Sequence, residues 1–176
     1  MRRLPFIFLL LCSLLSCVKQ NREAVYASQE TRIASFLNSK VTDDIKYVDL
    51  GGVYRLIETP GTGEALSPSG SLSFHYAGYI FNGSVSISNL FVTNHEATAD
   101  EGGWDTDDKT QFEPLAVTLS EAGFVEGLAK GLQGVQAGEH SFIVFSGRYG
   151  FGDKVYGRIP ANAALIYEVW IDAVTN

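Results

Sequence analysis

The aromatic and aliphatic residues between Gly123 and Asp172 are spaced to enclose something rather than to attack it. Phe124, Val125 and Leu128 sit in a glycine-punctuated helical stretch, and Tyr149-Gly150-Phe151-Gly152 turns the chain. Ile159-Pro160 forms a loop, and Tyr167 stands in a closing strand of alternating polarity. Such a set walls an apolar pocket without a nucleophile, a metal ligand or a phosphate cradle. Ser146 precedes Gly147, but no histidine and acid are spaced to activate it. His75 falls on the polar face of its strand, and His95 and His140 have no Cys, Asp or His at ligand spacing. Asp105-Thr106-Asp107-Asp108 begins like a calcium loop but lacks the downstream glycine and glutamate. What remains is chemistry that needs no metal and no cofactor, only shape and the exclusion of water.

The elements that must position these residues are legible from periodicity. Ile33, Phe36 and Leu37 recur at helical spacing between Gln29 and Asn38, after a polar stretch from Val18 to about Gln29 that reads as a tether. From Lys46 the pattern changes to strands. Val53 to Ile57 alternates, Pro60-Gly61-Thr62-Gly63 turns the chain, and Leu72, Phe74 and Tyr76 share one face of a strand running toward an Asn82-Gly83 hairpin signal. Residues 95–111 are acidic and poor in apolar side chains, which reads as a solvated surface insertion, with outer bounds of about 84–111. Pro114 to Leu119 is strand-like, and Val125, Leu128 and Leu132 form one stripe of a short helix. Gly127 within it costs about 1 kcal/mol against alanine, which points to a close approach by another backbone or a ligand. Phe142–Phe145 and Leu165, Tyr167, Val169 and Ile171 supply two final strands. Strands gathered around a single helix imply an α+β fold, an antiparallel twisted sheet wrapped around one short helix, with an extra N-terminal helix.

The first residues read as a leader. Arg2 and Arg3 precede an apolar run from Leu4 to Leu15, too short for a permanent membrane span. Leu14-Leu15-Ser16-Cys17 resembles a bacterial lipobox, which implies cleavage after residue 16 and lipidation of Cys17. Cys12 leaves with the leader, so a lone cysteine at the new N-terminus fits a lipid better than a disulfide. The organisation expected is a signal peptide over 1–16, a lipid-anchored tether and helix over 17–46, and a folded domain over 47–176. The formal charge of −7 becomes more negative once Arg2 and Arg3 are removed. That balance argues against a nucleic-acid partner, which would need a basic face.

From about Val53 to Val174 the chain resembles the FKBP-type peptidyl-prolyl isomerases. The matching pieces are Phe74-His75-Tyr76-Ala77-Gly78 with Asn82-Gly83, Phe124-Val125-Glu126-Gly127-Leu128 with Gly131, and Gly138-Glu139. Tyr149-Gly150-Phe151-Gly152, Ile159-Pro160-Ala161-Asn162-Ala163-Ala164-Leu165 and Tyr167-Glu168-Val169 complete the set. The resemblance implies an FKBP-like fold and rotation about prolyl peptide bonds, with proline-containing unfolded or exported polypeptides as partners. It implies Tyr76 and Tyr167 as walls from two strands, Phe91 as the next wall with Phe81 or Ile87 as alternatives, and Leu115 as another. It implies Phe124 and Val125 at the helix entrance, Leu128 as the floor, and the backbone N–H of Ile159 and a turn hydroxyl as holders of substrate carbonyls. Two departures weaken binding. Val92 stands where the family carries an acid, and Phe151 replaces the second turn tyrosine, each removing a hydrogen bond of about 0.5–1.5 kcal/mol.

The expected function is therefore a prolyl isomerase assisting the folding of exported proteins. It would lie in the bacterial cell envelope, anchored to the membrane by its lipid and facing the periplasm, with weak affinity for macrocyclic immunosuppressant-type ligands. The alternative is an FKBP-like binding or chaperone module with weak or no turnover, whose acidic insertion makes the useful contacts.

Overall fold

In a computed structural model, residues 19–176 are described in full. The first helix, α1, covers Pro5–Lys40, and its side chains up to residue 18 are outside that description. The expected signal segment and the lipidated Cys17 therefore lie outside the described residues. Among the described residues, no helix is long and apolar enough to cross a membrane.

Seven strands follow: β1 (Lys46–Asp49), β2 (Val53–Thr59), β3 (Ser71–Ile80), β4 (Leu90–Thr93), β5 (Leu115–Thr118), β6 (His140–Phe145) and β7 (Leu165–Thr175). They form one antiparallel sheet in the order β1-β2-β6-β7-β3-β4, with β5 also pairing with β3. Two helices interrupt the strands, α2 (Glu96–Glu101) and α3 (Glu126–Leu132). The expected α+β architecture is borne out, extra N-terminal helix included.

The central strands are buried on both faces. On one face Val53, Phe74, Ile143, Phe145, Leu165, Tyr167, Val169 and Ile171 pack with Leu128 and Leu132 of α3. On the other face Leu56, Ala77, Tyr79, Val144 and Ile166 pack with Ile33, Phe36 and Leu37 of α1. Phe142–Phe145 is a continuous apolar run for this reason, because a strand covered on both sides has no solvent face to mark with polar residues.

α3 lies close on β6. A Cβ built on Gly127 would collide with the Phe145 ring, and one on Gly131 would collide with Cγ2 of Ile143. The helix C-terminus is held by Arg55 of β2, whose guanidinium donates to the carbonyls of Gly131 (3.0 Å), Gln133 (2.6 Å) and Gly134 (3.3 Å). Arg55 is 5% exposed and its Nε is 3.1 Å from Oε1 of Glu139. That N–H is not aligned for a hydrogen bond, so the contact is Coulombic. Burial lowers the Arg55 pKa, and Glu139 opposes the shift.

Several local expectations are corrected. Residues 19–29 are helical rather than a tether, and Tyr26 and Gln29 are buried against the domain. Asn82-Gly83 does not make a two-residue hairpin; a longer connection with a 3-10 turn over Ile87–Asn89 leads into β4. Residues 84–111 are not a single solvated insertion. Their first part supplies β4, with Leu90 buried, and α2 buries Thr98 and Ala99. The carboxylates of Asp105 and Asp108 accept hydrogen bonds from the backbone of Asp107 and Thr110, capping turns.

Gly131→Ala is expected to destabilise the domain by about 1–3 kcal/mol, the range for overpacking a filled core. A urea midpoint for this variant, compared with the unaltered chain, measures it.

Candidate functional site

The concave side of the sheet and the N-terminal end of α3 enclose a cavity of about 440 Å³. Its lining comes from the elements that the sequence implicated, β5 excepted. β3 gives Phe74 and Tyr76, β4 gives Phe91 and Val92, and β7 gives Tyr167. The approach to α3 gives Gly123, Phe124 and Val125, and α3 itself gives Leu128. The loop before β7 gives Phe151, Tyr156, Gly157, Arg158 and Ile159.

Eight of the nine expected wall residues thus share one cavity: Tyr76, Phe91, Phe124, Val125, Leu128, Phe151, Ile159 and Tyr167. Phe91 takes the wall left open between it, Phe81 and Ile87. Phe81 instead packs edge-on against Phe36 of α1 at 5.3 Å, and Ile87 packs on the same opposite-face core. Leu115 is the exception. It is in register with Phe74 across the β5–β3 pair and packs on the core, but Phe74 rather than Leu115 lines the cavity.

The aromatic walls brace one another at favourable angles. Phe91 meets Tyr167 edge-on at 5.8 Å, and Phe74 meets Phe124 edge-on at 6.0 Å. Gly78 allows the first of these contacts to form. A Cβ there would come within 2.8 Å of both Phe91 and Tyr167 and 2.9 Å of Val92. The backbone of Tyr76 is fixed from outside the strand ladder: its N–H donates to Oδ1 of buried Asn94 at 2.6 Å, while Asn94 Nδ2 donates to the carbonyls of Phe74 and Glu113. No sequence periodicity marks Asn94, because its role depends on where β4 ends.

The hydrogen-bonding groups differ from those expected. The N–H of Ile159 is already spent on the carbonyl of Tyr156 at 2.9 Å, and the Tyr156 N–H returns a bond to Ile159 at 3.0 Å. This closes a tight turn with Gly157 at φ 56, so Ile159 offers the cavity its side chain and not a free donor. Tyr149 is likewise engaged, donating its hydroxyl to the Gly51 carbonyl at 2.8 Å under the Lys130 ammonium. Tyr156 stacks face to face on Phe151 at 4.8 Å and returns a phenol to the wall where Phe151 lacks one. Its sequence neighbours in the loop gave no periodic signal to find it by.

The cavity is almost uncharged. Of the residues that line it, only Arg158 carries a formal charge, and its Nη1 donates to the Leu90 carbonyl at 3.0 Å. The hydroxyls of Tyr76 and Tyr167 have no hydrogen-bond partner among the described residues. Burial raises the Tyr76 pKa, and burial together with the neighbouring Tyr76 raises that of Tyr167 further. Both therefore stay neutral donors. Among the described residues no group of three metal-capable side chains converges anywhere. The three histidines do gather on the opposite side of the sheet, where His95 stacks on Trp170 at 4.0 Å and His140 at 5.1 Å.

A family model described as FKBP-type peptidyl-prolyl cis-trans isomerase matches residues 63–172. The chain belongs to that family. FK506-binding protein 1 of Aspergillus oryzae is 30% identical over 118 residues, which cover 67% of this chain and 94% of the relative. FkpA, an FKBP-type peptidyl-prolyl cis-trans isomerase of Buchnera aphidicola, is 23% identical over 159 residues, covering 90% of this chain and 56% of that protein. Among solved structures, a peptidyl-prolyl cis-trans isomerase from Pseudomonas syringae superposes with a TM-score of 0.60 at 21% identity, covering 88% of this chain and 96% of that one. FkpA from Escherichia coli gives 0.59 at 20% identity, covering 99% of this chain and 74% of that one. This FKBP-type protein is thus a peptidyl-prolyl cis-trans isomerase in which the family's fold frames the apolar cavity.

The raised tyrosines also set an alkaline limit. A phenol whose pKa is raised on folding stabilises the native state fully below its unfolded value of 10.0, and that contribution is lost as pH rises through the folded value. Burial, with Glu168 nearby, pushes Tyr79 up to about 12, and Tyr167 shifts in the same direction. The domain is expected to lose stability progressively above pH 10. Phenolate absorbance of Tyr79 and Tyr167 should rise only together with unfolding, followed by circular dichroism.

Proposed function

We propose that the cavity accelerates prolyl rotation by disfavouring the planar amide, and that its clients are exported polypeptides. The peptide bond resists rotation by about 18–20 kcal/mol because resonance stiffens C–N, and the spontaneous process takes tens to hundreds of seconds. The planar amide is the more charge-separated form and is well solvated by water. Twisting removes the resonance and the charge separation with it. A water-poor wall of aromatic and aliphatic side chains raises the planar form relative to the twisted one, with no covalent or proton-transfer step. The observation that carries this reading is the cavity itself: closely braced rings, neutral tyrosine hydroxyls, and one charge among the lining residues. The proline ring sits on Leu128 between Tyr76, Phe124 and Tyr167. The free hydroxyls of Tyr76 and Tyr167 hold flanking carbonyls.

Envelope location rests on the sequence alone, on Arg2-Arg3, the apolar run and Leu14-Leu15-Ser16-Cys17. On this reading a lipid on Cys17 holds the isomerase at the membrane of the bacterial envelope, facing the periplasm. The same apolar cavity takes macrocyclic immunosuppressant-type ligands weakly, since Val92 and Phe151 offer no polar contact.

A proline-peptide isomerisation assay tests the mechanism. Tyr167→Phe is expected to lower kcat/KM by about two- to tenfold, the worth of one buried hydrogen bond, and Tyr76→Ala by more than about tenfold. An uncatalysed rate with retained binding of unfolded protein would favour the chaperone module instead. For the anchor, Cys17→Ala is expected to move the protein from the membrane fraction to the soluble fraction; continued retention on membranes rejects the lipid.

A further inference from the structure

The loop that closes the cavity has two roots, the 3-10 turn Gly147–Tyr149 leading into Phe151-Gly152 and the segment Ile159–Ala164. Between them, residues 153–158 are exposed, with Val155 at 71% and Tyr156 at 65%. The roots lie against each other. The Asn162 N–H donates to the Gly152 carbonyl, and the backbone of Gly147 runs so near Asn162 that a Cβ on Gly147 would strike the Asn162 carbonyl. Asn162 is the one non-glycine residue with positive φ, at 58, among the described residues.

α1 reaches this junction from outside the family-matched region. Gln29, 6% exposed, accepts from the Gly147 N–H at 2.9 Å through Oε1 and donates to the Asn162 carbonyl at 2.6 Å through Nε2. Tyr26 donates its hydroxyl to Oδ1 of Asn162 at 2.9 Å. Arg148 in the same turn pairs with Glu23 of α1 at 2.7 Å. One amide side chain therefore bridges both roots. The buried residues of α1 among those described, Tyr26, Gln29, Ile33, Phe36 and Leu37, all face the domain.

We propose that α1 is an intramolecular clamp on the cavity loop, with Gln29 and Tyr26 as positioning residues that hold Phe151, Tyr156 and Ile159 against the substrate. The inference rests on the isomerase reading of the cavity. Left-handed Asn162 and the abutting Gly147 hold their arrangement because Gln29 satisfies the N–H of one and the carbonyl of the other. Without that bridge the roots separate, and the loop loses the placement that catalysis by shape requires.

The full-length chain carries the test. Gln29→Met keeps the bulk and the helix preference but removes both hydrogen bonds, and Tyr26→Phe removes one. Ile33→Val serves as the control, since it trims one methyl from the same buried face of α1 and leaves the Gln29 and Tyr26 hydrogen bonds to the roots intact. Native-state trypsin cleavage after Lys154 and Arg158, both in the exposed loop, reads the loop's looseness directly. Gln29→Met is expected to raise that cleavage rate and to lower kcat/KM, each by about tenfold, and Tyr26→Phe to do so more weakly, while Ile33→Val changes neither. Protection and kcat/KM unchanged in Gln29→Met would overturn the clamp, as would equal loosening in Ile33→Val. Should Gln29→Met fail to fold, Tyr26→Phe decides by the same two measurements. If the unaltered chain shows no isomerase activity, the reading of the cavity fails, and the clamp stands or falls on the cleavage rates alone.

Discussion

The contact on which the rest depends is the seating of α3 on β6. Two glycines one turn apart, Gly127 and Gly131, remove the side chains that would hold the helix off the strand, and Phe145 and Ile143 fill the space. Arg55 then satisfies three carbonyls at the helix end, so that a seven-residue helix, too short to persist alone, is fixed at both its face and its terminus. This seating sets the depth of the cavity. Leu128, between the two glycines, becomes its floor, and Phe124 and Val125 enter from the turn before the helix. A helix set farther out would draw Leu128 back from the walls given by β3, β4 and β7.

The polarity of the site follows from the same packing. The cavity is lined from buried strands on one side and an exposed loop on the other, and the one charged lining residue belongs to the loop. Burial keeps the Tyr76 and Tyr167 phenols protonated, so they act as fixed neutral dipoles rather than as acids or bases. The fit of the walls depends on a glycine and on outer hydrogen bonds that lie behind the lining, as at Gly78 and Asn94.

Much of this is legible in the amino-acid sequence. Alternation in Leu72, Phe74 and Tyr76 and in Leu165 to Ile171 gave the strands and the inward face, and the stripe Val125, Leu128, Leu132 gave the helix. The ordered glycine and aromatic motifs gave the family and most of the cavity wall. What stayed hidden has a physical reason in each case. Leu115 and Phe74 are equally apolar cross-strand partners, and which of the two reaches the cavity depends on the tertiary placement of β3 and β5, which periodicity does not record. The Ile159 N–H was lost to a turn closed by Tyr156, three residues before the Ile159-Pro160 motif begins. Arg55, Gln29 and Asn94 are polar residues buried by tertiary partners far along the chain, and a sequence period counts such residues as surface. The extent of α1 was hidden likewise, since Tyr26 and Gln29 meet their partners more than a hundred residues away.

The two-faced burial of the central sheet has a consequence for how the chain reaches this state. Synthesis delivers α1 before any of the strands, yet the strip that receives it is built from β2, β3, β6 and β7, and Ile166 belongs to the last of these. Docking of the earliest element must therefore wait for the latest one. A nascent chain carries Ile33, Phe36 and Leu37 uncovered until β7 has emerged, and the pairing of β3 with β7 waits for the same strand. Such long-range closure is slow and leaves apolar surface open to other chains meanwhile. The domain is thus built to a topology whose own folding cannot proceed step by step along the chain.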